Sequence, residues 1–239
     1  SSRVYTVGRM ERWDIDQSPA LTDPSQCNPA DQALLHPYSE GVASLVPPLR
    51  IGVMASGNGS NFEAIVQAIN TGRLGAEIPL LVVNNKNCGA QQRADRFGIH
   101  LEVVDHRSYP NREALDRQLV SLFQSHQVDV VVMAGWMRIV TDVLVKAFPE
   151  RLVNIHPSLL PSFRGLDAVG QALKAGVSIS GCTVHIVTAE LDAGPILAQA
   201  AVPVFATDTH ATLAERVQRQ EHILLPTTLQ QNAHRWRHG

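Results

Sequence analysis

Little in this 239-residue chain points to a cross-linked, membrane-embedded or strongly charged protein. It has only three cysteines and 5% aromatic residues, and no apolar run approaches the roughly 20 residues that a membrane-spanning helix needs. Cysteines that are odd in number and far apart indicate a reducing compartment rather than a disulfide framework. The formal net charge of -2 leaves no electrostatic footprint for nucleic acid or an anionic membrane. We therefore expect a cytoplasmic protein that binds neither.

A metal site is also not indicated, although the chain has ten histidines. The close pairs, His100 with His106 and His234 with His238, lack carboxylates or cysteines in a recognisable ligand pattern. We expect no bound metal.

The first 48 residues differ in character from the rest of the chain. They mix proline, serine, aspartate and glutamine without periodicity, and they contain no apolar core of a secretory signal. Their acidic residues argue against an organelle transit peptide. We expect residues 1–48 to be an irregular N-terminal extension, partly disordered or lying on the surface of a single domain of residues 49–239.

From residue 49 onward, short apolar runs alternate with segments of helical periodicity. The expected strands are 51–55, 78–83, 101–104, 128–134 and 151–156, and the expected helices are 62–69, 91–97, 111–126 and 141–148. This alternation predicts an α/β fold, a Rossmann-like, mostly parallel sheet with helices on both faces. Beyond residue 181 we expect a hairpin-like annex of strands 182–187 and 196–204. A last helix from about residue 209 follows, which Pro226 breaks or restarts.

A glycine-rich turn, residues 56–61 (SGNGSN), connects the first strand to the first helix. Such a turn directs backbone N–H groups at one point, with the positive end of the helix dipole behind them. Ser60 and Glu63 form a capping-box pattern that predicts a helix start near Ser60. The turn matches neither the dinucleotide fingerprint nor the Walker motif, so a phosphate site and a plain strand–helix turn both stay open.

The segment 154–161 (NIHPSLLP) places two chemically useful side chains at a strand tip. Residues two apart on a strand share a face, so Asn154 and His156 point the same way while Ile155 enters the core. A carboxamide can donate to a developing oxyanion, and an imidazole carries a proton near neutral pH. Together with residues 56–61 and 135–138, this tip falls at the carboxyl ends of parallel strands, where such sheets bind ligands.

An acidic turn, residues 190–195 (ELDAGP), is the third candidate. Asp192 beside a histidine would hold an imidazolium, but the same residue in a turn commonly bonds its own backbone. Spacing alone leaves open whether Asp192 meets His156.

Taken together, residues 49–230 resemble the glycinamide ribonucleotide formyltransferases of purine synthesis. Six pieces carry the resemblance in order and spacing: SGNGSN (56–61), AGWMRI (134–139), NIHPSLLP (154–161), GCTVH (181–185), LDAG (191–194) and QEH (220–222). The resemblance implies a Rossmann-like formyltransferase fold. It also implies transfer of a formyl group from 10-formyltetrahydrofolate, the co-substrate, to the amine of glycinamide ribonucleotide. We expect these two small molecules as partners, and a monomer or weak homodimer.

The resemblance also assigns roles to residues of this chain. Asn154, His156 and Asp192 match the catalytic positions. Substrate contacts map to Gly59, Ser60 and Asn61 for the phosphate and to Glu221 for the ribose. Contacts with the folate map to Arg112, Met137, Arg138, Ile139 and Val140, and also to Asn154.

One loop departs from the family pattern. After Pro161 the chain runs SFRGLDAVG (162–170), where many bacterial relatives have Pro-Gly and one or two histidines. Roles that depend on those histidines are not carried over to this chain.

Three rival functions remain at this stage. A formyltetrahydrofolate deformylase would use the same Asn, His and Asp on water. However, it carries an N-terminal regulatory domain larger than the 48-residue extension of this chain, and it lacks the SGNGSN turn. A methionyl-tRNA formyltransferase would add a C-terminal β domain and basic patches. A non-catalytic phosphosugar-binding module would account for the turn but not for the trio.

Overall fold

The computed structural model of the chain describes residues 34–36 and 47–237. Within those ranges the strands are β1 (Leu34–His36), β2 (Leu49–Ala55), β3 (Ala76–Val83), β4 (Leu101–Val103), β5 (Val130–Met133), β6 (Leu152–His156), β7 (Ile179–Ile186) and β8 (Ile196–Pro203). The helices are α1 (Ser60–Asn70), α2 (Gly89–Phe97), α3 (Arg112–Ser125), α4 (Asp142–Ala147), α5 (Ala168–Ala175) and α6 (His210–Arg237), with a 3-10 turn at His106–Ser108.

All eight strands form one sheet in the order β1-β8-β7-β6-β5-β2-β3-β4. Strands β2 to β6 pair in parallel, whereas β7, β8 and β1 add antiparallel pairs at one edge. The chain starts the parallel part at β2, builds outward through β3 and β4, and then returns to the other side of β2 with β5. The order therefore reverses between β2 and β5, the position at which doubly wound sheets bind ligands.

The buried strands send alternate side chains into two separate cores, as a sheet covered on both faces requires. In β5, Val130 and Val132 pack into one core, and Val131 and Met133 pack into the other. The first core is covered by α1, α2, α5 and α6, and the second by α3 and α4. The predicted α/β class with helices on both faces is confirmed.

The C-terminal third corrects one expectation and adds one helix. Strands β7 and β8 are not an annex, because β7 pairs with β6 and so extends the main sheet. Helix α5 was not predicted, since it has only eight residues and follows an irregular loop.

Helix α6 is the second correction, because it runs through Pro226 without a break. A proline inside a helix costs about 3 kcal/mol. Leu224, Leu225 and Leu229 are almost fully buried on both sides of Pro226, and each such side chain contributes about 1.5–3 kcal/mol. Burial of this apolar stripe outweighs the lost backbone hydrogen bond.

Most of the predicted extension 1–48 lies outside the described residues, so the domain boundary at residue 49 stays a prediction. Its described part includes β1, which pairs Leu34 with Ala201 and His36 with Gln199 of β8. No helix within residues 47–237 is both long and apolar enough to cross a membrane.

The close approach of β7 to β8 yields a first prediction. A Cβ atom added at Gly181 would collide with the carbonyl oxygen of Ala200, and backbone cannot move aside as a flexible side chain can. We expect Gly181→Ala to lower the free energy of unfolding by about 1–3 kcal/mol, the usual cost of overpacking. Urea unfolding followed by circular dichroism measures it.

Gly57→Ala is the matched control for stability, because a Cβ atom there meets nothing within 4 Å. We expect its unfolding midpoint to stay close to that of the parent protein. Equal midpoints for the two variants would contradict the tight β7–β8 contact.

Candidate active site

Three segments with candidate functional residues meet at the carboxyl ends of adjacent parallel strands. Residues 56–61 follow β2, residues 135–138 follow β5, and His156 ends β6. Ser56 ties the first two segments together. Its backbone N–H donates to the Gly135 carbonyl over 3.1 Å, and its hydroxyl accepts from the N–H of Met137 over 2.9 Å. The predicted convergence of these segments is confirmed.

The glycine-rich turn ends at Gly59, which is the residue that caps α1. Gly59 has a φ of 75°, and a Cβ atom there would collide with the backbone of Ala90, so this position requires glycine. Glycine has no side chain that could cap the N–H groups of the first turn, and this end of α1 has no side-chain cap hydrogen bond. Those donors are the anion-binding feature of a helix N-terminus.

The capping box predicted for Ser60 and Glu63 is wrong. Ser60 is already the first residue of α1, because Gly59 in the left-handed conformation takes the cap position. Glu63 instead forms ion pairs with Arg93 and Arg96 of α2. Arg93 also donates to the carbonyl and side-chain oxygens of Asn58, so α2 braces the turn from behind.

Helix α6 brings a buried carboxylate to the same turn. Gln218 donates to the Ser60 hydroxyl over 3.1 Å, and the side chain of Asn61 hydrogen-bonds the carboxyl group of Glu221. Glu221 is only 7% exposed. Burial raises the pKa of Glu221 to about 7, and the bond from Asn61 opposes that rise only in part. The site thus holds a carboxyl group that changes charge near neutral pH.

Asn154 and His156 occupy one face of β6, and Ile155 packs into the core on the other. The Nε2 atom of His156 lies 2.8 Å from the carbonyl oxygen of Phe163, so Nε2 is the donor in that bond. Its Nδ1 atom lies 3.5 Å from Oδ2 of Asp192. Both ring nitrogens face oxygen acceptors, and both can donate only when the ring carries two protons.

Asp192 therefore lies next to His156, the contact that spacing could not establish. Asp192 is only 8% exposed, and its backbone has a φ of 50°, a conformation that non-glycine residues seldom adopt. Oδ2 accepts from the N–H of Gly165 over 2.9 Å. Oδ1 lies 3.8 Å from Nε2 of His185, a residue to which the sequence reading gave no role.

The loop of residues 162–167 lies directly against this trio. Besides the Phe163 and Gly165 contacts, Arg164 pairs with Glu190 over 2.9 Å, and Asp167 pairs with His210 over 2.8 Å. Both ion pairs are exposed, and the bond from His210 lowers the pKa of Asp167. These contacts belong to the stretch that departs from the family pattern, and no local sequence pattern predicts them.

The segment assigned to the folate is exposed but held at both ends. Met137 and Ile139 are 72% and 57% exposed, an unusual display of apolar surface beside a polar site. At the far end, buried Asp116 accepts from the N–H and hydroxyl of Thr141 over 2.6 and 2.8 Å. Arg112 begins the same helix as Asp116 and lies within electrostatic reach of its carboxylate.

Of the two described cysteines, Cys182 is unsuited to act as a nucleophile. Cys182 is fully buried in β7, and burial raises the pKa of its thiol well above the usual value. A thiol held in that form is a poor nucleophile. In the described ranges no three histidine, cysteine or acidic residues are grouped so as to hold a metal ion.

The buried carboxyl group of Glu221 gives a prediction about stability. Its pKa in the folded protein, about 7, lies above the 4.5 of an exposed glutamate. Its contribution to stability is therefore full below about pH 4.5 and is lost as the pH rises through about 7. We expect Glu221→Gln to raise the free energy of unfolding by about 2–3 kcal/mol at pH 8.5 and to flatten the dependence on pH above 4.5.

Glu215→Gln serves as the control, because Glu215 lies on the same helix but is exposed and pairs with Arg219. That change should shift stability by less than about 1 kcal/mol. Urea titrations between pH 5 and 8.5 measure both variants. A Glu221→Gln protein no more stable than the parent at pH 8.5 would rule out the ionisation cost.

Comparison with known proteins assigns the family. A family model described as formyl transferase matches residues 49–229. The phosphoribosylglycinamide formyltransferase of Bacillus subtilis (strain 168) is 40% identical over 182 residues, which cover 76% of this chain and 93% of that protein. The Escherichia coli (strain K12) protein of the same name is 41% identical over 181 residues, 76% of this chain and 85% of its own length. The human trifunctional purine biosynthetic protein adenosine-3 is 41% identical over 181 residues, but the match spans only 18% of it.

Solved structures agree with the sequence relatives. A glycinamide ribonucleotide transformylase 1 from Symbiobacterium toebii superimposes with a TM-score of 0.78 at 41% identity, covering 82% of this chain and 92% of that one. A phosphoribosylglycinamide formyltransferase from Bacillus halodurans gives 0.74 at 41% identity, covering 76% and 94%. The chain therefore belongs to the formyl transferase family and, within it, to the phosphoribosylglycinamide formyltransferases.

Proposed function

We propose that this chain transfers the formyl group of 10-formyltetrahydrofolate to the amine of glycinamide ribonucleotide. The observation that carries the proposal is the grouping of Asn154, His156 and Asp192 beside a helix N-terminus suited to phosphate. The family supplies the reaction class, and the assignment of these residues to its steps is our own.

The reaction is an acyl transfer between two nitrogens. The folate co-substrate supplies the formyl carbon, and the amine of the ribonucleotide attacks it. A bond forms between the amine nitrogen and that carbon, and the bond from the carbon to N10 of the folate breaks. One proton moves from the attacking amine to N10, and charge gathers on the formyl oxygen between these steps.

The trio can meet each of those demands. An N–H of Asn154 and an N–H of His156 would stabilise the negative oxygen, the largest single contribution in reactions of this kind. Asp192 would pair with the doubly protonated ring of His156, and with water would assist the proton transfer. No covalent enzyme intermediate is required, which agrees with the buried, protonated thiol of Cys182.

The contact between His156 and Phe163 bears on this step. In the structure the Phe163 carbonyl takes the Nε2 donor of His156 at 2.8 Å. The Phe163 carbonyl oxygen thus occupies the position in which the formyl oxygen would accept a hydrogen bond from the same N–H. In our proposal the loop carbonyl therefore gives way when the substrates bind.

The rest of the site would bind the two substrates. The first-turn N–H groups of α1, at Gly59, Ser60 and Asn61, would hold the phosphate. Glu221 would accept hydrogen bonds from the ribose hydroxyls. The exposed apolar side chains of residues 137–140 suit a flat aromatic ring system. The Nε atom of Arg138 is buried and has no hydrogen-bond partner among the described residues, so a ligand acceptor would fit there.

The deformylase and the non-catalytic module are not favoured as alternatives. The two bacterial relatives are named as formyltransferases, and the match covers most of the length of each. Following folate product with and without glycinamide ribonucleotide separates the readings. Equal rates without the amine would indicate hydrolysis, and ribonucleotide binding without any turnover would indicate a binding module.

The catalytic assignment predicts the effect of two substitutions. His156→Ala removes the donor to the oxyanion, and Asp192→Asn removes the charge that pairs with the ring while keeping its shape. We expect each change to lower kcat by about 10² or more. Steady-state assays following folate product at saturating concentrations of both substrates measure this.

Asp142→Asn is the control for charge removal, because Asp142 is exposed and pairs with Lys146 on α4. Its kcat should match that of the parent. Near-normal turnover in either His156→Ala or Asp192→Asn would refute the assigned roles.

Glu221 adds a prediction about pH. The carboxylate accepts two hydroxyl bonds only when ionised, and its pKa is raised to about 7. We expect KM for the ribonucleotide to rise as the pH falls from 8 to 6, whereas the Glu221→Gln protein should have a higher KM at pH 8 and a flatter profile. The substrate phosphate also titrates near pH 6, but it does so with both proteins, so the difference isolates Glu221. Parallel profiles would argue against the ribose role.

A further inference from the structure

His185 belongs to the GCTVH piece of the family pattern, but the proposed chemistry leaves it without a task. It lies on β7, directly opposite Asn154 in the antiparallel pairing of β6 with β7. Cross-strand partners share a face of the sheet, so His185 points toward the same site as Asn154. It is only 2% exposed, so its hydrogen bonds to protein groups define its state.

Two contacts fix the tautomer of the His185 ring. Nδ1 lies 3.0 Å from the carbonyl oxygen of Ile186, and a carbonyl can only accept, so Nδ1 carries a proton. Burial is the largest influence on the pKa of His185. It lowers that pKa below its usual value, so the ring is neutral at pH 7. In a neutral ring with a proton on Nδ1, Nε2 presents a lone pair.

That lone pair decides how Asn154 is oriented. The Nδ2 atom of Asn154 lies 3.2 Å from Nε2 of His185, so the amide donates one of its two N–H groups to the ring. The opposite rotamer would place the amide oxygen against the lone pair, which is repulsive. The second N–H of Asn154 stays available, and in the proposed reaction this is the one that meets the oxyanion.

The neutral state of His185 also affects its acidic neighbour. Nε2 of His185 lies 3.8 Å from Oδ1 of Asp192, while Nδ1 of His156 lies 3.5 Å from Oδ2. If both rings were charged, they would repel each other and share one carboxylate. A neutral His185 leaves that carboxylate to His156.

We propose that His185 is a positioning residue, whose neutral Nδ1–H tautomer orients the Asn154 carboxamide and leaves Asp192 to pair with His156. The proposal rests on the proposed function in one respect, the donation of an N–H by Asn154 to the oxyanion. The state of the ring itself is independent of the reaction.

Two substitutions separate orientation from packing. His185→Leu introduces an apolar side chain of similar bulk, which offers Asn154 no acceptor. His185→Gln places an amide oxygen near the position of Nε2, where it can accept from Asn154. We expect His185→Leu to lower kcat by about 10–10², with KM for both substrates within about twofold, and His185→Gln to recover most of that loss. Thermal unfolding of both variants checks that they fold.

A double-mutant cycle with Asn154→Ala tests whether His185 acts through Asn154. In the Asn154→Ala protein, adding His185→Leu should lower kcat by a further factor of less than about two. A full additional loss would overturn the proposal, as would normal kcat in His185→Leu or equal losses in the Leu and Gln variants. Normal kcat in Asn154→Ala alone would instead refute the proposed function.

Nitrogen-15 NMR of the imidazole rings provides a readout without substrates. We expect His185 to show a protonated Nδ1 and an unprotonated Nε2 at pH 7. A protonated Nε2 at pH 7 would overturn the proposal, whatever the activity of the variants.

Discussion

The buried carboxylate of Asp192 lies between two imidazoles, and the proposed chemistry depends on which of the two rings it pairs with. Oδ2 faces His156 at 3.5 Å, and Oδ1 faces His185 at 3.8 Å. Two imidazolium ions and one carboxylate would leave an uncompensated positive charge in a buried place, which is costly. Burial lowers the pKa of His185 and so disfavours a second proton on that ring, which in our proposal leaves the carboxylate to pair with His156.

The scaffold explains why these groups can be held so closely. Asn154 and His156 are on β6, His185 is on its antiparallel neighbour β7, and hydrogen-bonded strands fix their spacing at the cross-strand distance. Asp192 lies on the turn between β7 and β8, where its backbone has a φ of 50° and its carboxylate lies 3.5 Å from Nδ1 of His156. The antiparallel edge of a mostly parallel sheet is therefore the part of the fold that completes the site.

Sequence patterns predicted what depends on local geometry. Period-two spacing placed Asn154 and His156 on one face of a strand, and alternating elements placed three segments at one edge of the sheet. Contacts between distant segments leave no local pattern, so the pairing of β7 with β6 and the 3.5 Å approach of Asp192 to His156 required the fold. Helix α6 shows the same limit, because tertiary burial around Pro226 outweighs a local propensity that predicts a break. At α1, a left-handed Gly59 displaced a capping box that the residue types alone favoured.

The loop of residues 162–167 supplies hydrogen-bond partners to two buried polar groups of the site. His156, one of the two proposed donors to the oxyanion, is buried, and leaving its N–H unpaired would cost about 1–3 kcal/mol. The Phe163 carbonyl satisfies His156 and the Gly165 N–H satisfies Asp192. The loop is held in turn by exposed ion pairs of Arg164 and Asp167, and exposed ion pairs contribute little to stability. In our proposal the formyl oxygen replaces the Phe163 carbonyl at Nε2 of His156, and outside the site the loop that carries this carbonyl is tied by exposed ion pairs.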